Sequence, residues 1–249
     1  MRRSAFVCLM LAVGAVLAAQ APKAAPPKAM RLYVLDCGLL NITREGVERY
    51  HVTTAEVGET RMPVPCFLVA HPKGTLMWDM GVIPDDDVEK AAAGGARYDV
   101  NPTAAAVVSR TLRSQLAAIG YRPADITYVA ISHAHKDHTA NLNQFAASTW
   151  LTPKAERDFM WKPNNERVEP RFFSALEKSK WVPLDKDEYD VFGDGAHLLF
   201  SSAEKNRGST RSLFGFHMNS RSARGVSHVA PANWFKLAVW SLCACEMAT

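Results

Sequence analysis

Three histidines and one aspartate fall within the six positions 133–138, His-Ala-His-Lys-Asp-His, and few folds can place such a cluster usefully. The residues leading into it, Ile126, Thr127, Val129, Ala130 and Ile131, are apolar or β-branched and read as a short buried strand over 126–132. The cluster therefore begins where a strand ends, and strand ends are where α/β proteins set their chemistry. His133 and His135 are two apart, so extended backbone sends both side chains off the same side. Asp137 and His138 follow and can turn toward a second point. Imidazole and carboxylate donors in this order suit two borderline-soft divalent cations a few ångströms apart. The plainer alternative is a solvated polar loop, but packing explains so dense a cluster poorly.

The pattern H-x-H-x-D-H resembles the signature of the metallo-β-lactamase superfamily, and its context is similar to the N-acyl homoserine lactonase branch. The pieces that carry the likeness run in order from about residue 30 to about 200. They are 32–38 ending in Asp36-Cys37-Gly38, 65–69 (Pro-Cys-Phe-Leu-Val), 71–81 ending in Trp78-Asp79-Met80-Gly81, then 115–121, 124–127 and 191–195. The resemblance implies an α/β (α+β) fold, the αββα metallo-β-lactamase sandwich, incomplete at its C-terminus. It implies two Zn2+ per chain, His133 and His135 on the first and Asp137 and His138 on the second. Asp137 would also move a proton, as the catalytic carboxylate. Asp79 would brace the histidine loop from behind by holding an imidazole's other N–H, although an aspartate capping a turn is the simpler reading. The implied reaction is opening of a small-molecule lactone or ester by metal-bound hydroxide, with a role in quorum quenching. A thioesterase- or β-lactamase-type hydrolase of the same superfamily stays open, and so does a catalytically dead member.

The likeness fails toward the C-terminus. Where the family has a third histidine, the chain reads Ser-Ala-Glu-Lys-Asn-Arg-Gly-Ser-Thr-Arg-Ser-Leu-Phe over 202–214. No aspartate follows Asp194, so the family's bridging aspartate has no counterpart; Glu204 and Glu246 are the remaining carboxylates. His197, His217 and His228 lie in no matching pattern. The expectation is a domain over 31–202 and a divergent tail over 203–249, translated out of frame after a frameshift near 196–206. Two ligands per metal would hold metal weakly and lose the folding energy that metal supplies.

The start of the chain reads as a targeting segment. Arg2 and Arg3 precede an uncharged, mostly apolar stretch, and small residues at Ala19 and Ala21 offer a cleavage site. The expectation is a signal peptide over 1–21, a Pro/Ala/Lys linker over 22–30, and an exported domain, periplasmic or secreted, with no stable membrane association after cleavage; an uncleaved anchor is the alternative. Export permits a disulfide, and Cys37 and Cys66 could form one or remain buried thiols. The formal net charge of +4 is mild and no nucleic-acid module is visible, which argues against a nucleic-acid partner.

Elsewhere the patterning is conventional. Residues 65–70 and 75–78 read as a hairpin, and 41–62 as irregular. Apolar spacing over 103–119 predicts one helix, capped by Thr103 and Gly120. Asp85, Asp86 and Asp87 read as a solvated loop or helix start.

Overall fold

The computed structural model describes residues 24–49, 51–91, 96–186, 188–194, 197–201 and 213–217. The expected signal peptide, most of the tail, His228, and the cysteines at 8, 243 and 245 lie outside the described residues.

The chain opens with β1 (Arg31–Ile42), two short helices α1 (Arg44–Glu48) and α2 (Thr54–Val57), and the hairpin of β2 (Arg61–His71) and β3 (Gly74–Trp78). Helix α3 (Asp85–Lys90), β4 (Ala96–Asn101), β5 (Ala104–Val108) and α4 (Leu112–Ala118) follow. Then come β6 (Tyr128–Ala130), α5 (Lys136–Thr139), β7 (Thr149–Thr152), α6 (Lys154–Met160), β8 (Trp181–Pro183), β9 (Glu188–Asp190), β10 (His197–Ser201) and β11 (Leu213–His217). Eight strands form one sheet in the order β4-β5-β1-β2-β3-β6-β7-β8, and β11-β10-β9 form a second. β3, β6, β7 and β8 run parallel, and the remaining pairs of the large sheet are antiparallel.

Alternation along the central strands explains the layering. Leu68 and Ala70 of β2, Met77 of β3, Val129 of β6 and Trp150 of β7 join the main core on one face. Val69, Leu76, Trp78, Ala130 and Leu151 point the other way and pack with Leu184, Val191 and Phe192. A sheet buried on both faces is the middle of a layered α/β fold, as expected. His71 fastens the second face: its ring stacks on Phe192 at 4.3 Å, and its Nε2 lies 2.8 Å from Asp194 Oδ2.

Three local expectations need correction. The helix over 103–119 is half strand: 104–108 is β5, paired with β1, and the helix begins only at Leu112 with Thr111 as its cap. Val107 and Val108 counted toward one helical face, but β-branched neighbours beside an unpaired edge of β1 are better satisfied as a strand. The 41–62 stretch is also more regular than its polarity suggested, since it ends β1, holds α1 and α2 and starts β2; α2 carries a full capping box between Thr53 and Glu56. The aspartate run does start a helix, with Asp86 and Asp87 at the surface. Asp85, however, is buried: its carboxylate accepts the N–H groups of Leu112 (2.7 Å) and Arg113 (2.8 Å) at the start of α4 and the amide of Gln144 (2.9 Å). These partners compensate an acid that would otherwise remain in water. Among the described residues, no helix is long and apolar enough to cross a membrane.

Candidate metal centre

Three successive parallel strands deliver the site. β3 pairs with β6 and β6 with β7 in register, Trp78 opposite Ala130 and Val129 opposite Trp150. Their carboxyl ends therefore share one edge of the sheet. Asp79 follows β3, the 132–138 loop follows β6, and Glu156 lies in the first turn of the helix that follows β7.

Asp79 stands in the left-handed region (φ +56°) and is buried. Its Oδ1 accepts the Ser132 N–H at 2.7 Å, and its Oδ2 accepts the Ser132 hydroxyl at 2.9 Å and lies 2.9 Å from His138 Nδ1. The backbone N–H of Met80 bonds to the carbonyl of His138 at 2.9 Å. Gly81, at φ +74°, lets the turn pass Cys37, whose Cβ would stand 2.9 Å from any Cβ placed there. The turn and the loop thus hold each other, and Cys37 joins Cys66 in a disulfide directly beneath the turn.

Within the loop, donor atoms of His133, Asp137 and His138 all lie within 4.8 Å of one another. His135 stands beside them, its Nδ1 3.0 Å from His133 Nε2. The four residues singled out in the sequence are therefore brought together, with His133 gathered to Asp137 and His138 as well as to His135. Burial, reinforced by the neighbouring imidazoles of His138 and His135, pushes His133 well below the usual histidine range. Burial also lowers His135, with Asp137 opposing. Burial acts against charge at His138 too, but the carboxylates of Asp137 and Asp79 prevail and hold it well above its ordinary value. Burial would raise Asp137, yet the His138 cation 3.2 Å away holds it below the carboxylate range.

This donor set fits a divalent cation. It supplies two neutral imidazoles, an ionised carboxylate, and a third imidazole whose Nδ1 is already engaged by a carboxylate, leaving Nε2 toward Asp137. Asp79 and Asp137 both favour positive charge at this point, which a bound cation would supply.

Glu156 and Ser132 went unnoticed in the sequence. Glu156 Oε1 accepts the N–H of Ala134, the residue between the two histidines, at 2.6 Å. The available signal was an acid on the apolar side of a helix: Glu156 is four residues before Met160, and both are buried. Burial pushes the Glu156 carboxyl up to about 7, with the Ala134 N–H and the charge on His138 opposing. The ordinary value is 4.5, so the folded chain binds the extra proton between those two values. The stability this proton supplies is fully present below pH 4.5 and lost as pH rises through 7, about 3 kcal/mol in all. Urea midpoints of metal-free protein between pH 5 and 8 should show that decline, and E156Q should flatten it. An unchanged slope in E156Q would sink this assignment.

The superfamily described as "Metallo-beta-lactamase superfamily" matches residues 60–210 of the chain. The chain belongs to the metallo-beta-lactamase superfamily. Among curated members it is similar to the N-acyl homoserine lactonase AttM of Agrobacterium fabrum, 29% identical over 171 residues that cover 67% of this chain and 64% of AttM. It is also similar to the metallo-hydrolase mfmC of Annulohypoxylon moriforme, 27% identical over 152 residues, 56% of this chain and 40% of that protein. The chain thus spans less than two thirds of the length of these superfamily members. By fold it matches an N-acyl homoserine lactone hydrolase solved with N-hexanoyl-L-homoserine at its catalytic metal centre (TM-score 0.52, 20% identity, 68% of this chain and 64% of that one). It likewise matches a probable metal-dependent hydrolase from Staphylococcus aureus (TM-score 0.51, 16% identity, 69% and 64%).

Proposed function

We propose that this chain is an exported, zinc-dependent hydrolase of the lactonase type, acting on small lactones such as N-acyl homoserine lactones. The observation that carries the reading is the convergence of His133, Asp137 and His138 donors within 4.8 Å at the sheet's carboxyl edge. The AttM relatives support the substrate class, and the Cys37–Cys66 disulfide supports an oxidising compartment, periplasmic or secreted. Metal bound at these residues supplies Lewis acidity at the carbonyl and acidifies water.

The chain's own residues do the rest. Asp79 holds His138 through Nδ1 and fixes which nitrogen faces the site. Asp137, ionised, accepts the proton of the attacking water at its carboxylate and returns it to the ring oxygen as the acyl C–O bond breaks. The product is the open hydroxy acid.

Among the described residues this is the one group of three or more His, Cys, Asp or Glu side chains placed to hold a metal. That favours a second reading, a chain with a single loosely held metal and little activity. It accords with the proposal that residues 203–249 are out of frame. Translating the gene in its other two frames tests that proposal; absence of an aspartate and a Gly-His turn from both would refute it.

The deciding experiment is elemental analysis of dialysed protein, paired with lactone, thioester and β-lactam hydrolysis assays in added zinc. About two zinc per chain and preference for lactones are expected of the lactonase. One zinc and no turnover would establish the second reading, and no metal would overturn both.

A further inference from the structure

The 132–138 loop is held from two sides, and only one of them is the Asp79 turn. On the other side stands Glu156. Its carboxyl receives the N–H of Ala134 at 2.6 Å, both residues are buried, and α6 approaches the loop because β7 lies next to β6 in parallel register. The peptide it receives is the one joining His133 to Ala134, so its plane bears directly on the direction in which the His133 imidazole leaves the backbone and, through Ala134, on that of His135. Other polar contacts of the loop backbone run elsewhere: the N–H of Ser132 to Asp79, the N–H of His138 and the hydroxyl of Thr139 to the carbonyl of His135, and the N–H of Ala140 to Gly81. Without Glu156, the Ala134 N–H would face a dry interior without this acceptor, and the loop would turn the peptide to find another.

We infer that Glu156 is a positioning residue: by fixing the Ala134 peptide it sets the spacing and aim of His133 and His135 for metal binding. The inference rests on the metal reading above. It is local to one N–H and one acceptor oxygen, so an amide side chain should substitute for the carboxyl and an aliphatic one should not. An acid buried only to fill space would tolerate both, since glutamine and leucine occupy much the same volume.

The test compares wild type, E156Q and E156L as full-length protein, with two readouts. The first is exchange of the Ala134 amide hydrogen in metal-free protein. The second is cobalt affinity from the visible absorption of the bound ion, with the metal-free urea midpoint recorded for each variant so that only folded protein is compared. Wild type and E156Q should protect Ala134 alike and bind cobalt within about threefold of each other. E156L should lose the protection and bind about 10–100-fold more weakly, the usual consequence of removing a partner behind the ligands. Equal Ala134 protection in all three proteins overturns the inference, whether or not cobalt binds. So does an E156Q variant that fails as badly as E156L. A wild-type chain that takes up no cobalt, yet shows Glu156-dependent protection, overturns the metal reading and supports the brace.

Discussion

Alanine in place of Asp79 is expected to lower stability by about 3–5 kcal/mol and weaken metal binding about 10–100-fold. One carboxylate accepts the Ser132 N–H and hydroxyl and faces His138 Nδ1, all within 2.9 Å. Removing it leaves those buried groups without that partner and frees the His138 ring to rotate. Alanine also fits poorly at φ +56°, which aspartate and asparagine tolerate better. D79N should therefore keep more of the stability than D79A, since an amide oxygen can still accept the Ser132 N–H. It should not recover metal binding fully, because its NH2 group cannot accept from His138. Urea unfolding of metal-free protein and a cobalt titration separate the two effects. A D79A protein with unchanged midpoint and affinity would show that the turn and loop are held by other contacts.

The second large effect lies beneath the same turn. The Cys37–Cys66 bond closes a loop with a sequence separation of 29 and joins β1 to β2 where both are buried. By the loop-entropy relation, removing it should cost about 3–4 kcal/mol. The double variant C37A/C66A is the appropriate probe, since a single substitution would leave one free buried thiol. A non-reduced digest should join the Cys37 and Cys66 peptides, and the urea midpoint of the double variant should fall accordingly. Equal midpoints, or unlinked peptides, would rule out the bond as a stabilising element of the protein.

The histidine cluster was legible because its chemistry is local: four donor side chains in six positions after an apolar run need no distant residue to be noticed. The β2–β3 hairpin was legible for a similar reason, since two short apolar runs flank a Pro-Lys-Gly turn. The 103–119 segment was not. Its residues satisfy a helical period and a strand period at once, and the choice fell to the exposed edge of β1, a partner more than sixty positions earlier. Asp85 was misread as solvated because nothing nearby in sequence announces the α4 amides and Gln144 that compensate its burial.

By itself, then, the sequence determined the layered α/β class, the candidate metal ligands, and the family to which the chain belongs. Composition, short-range periodicity and a compact motif carry that information along the chain. The resemblance also pointed to Asp79 as a brace; tertiary structure alone added its partner Ser132 on one side, Glu156 on the other, and a disulfide under the turn. These groups meet because parallel pairing of β3, β6 and β7 aligns three carboxyl ends at one edge. Strand register is set by burial of both sheet faces, a property of the assembled core that no stretch of sequence carries alone.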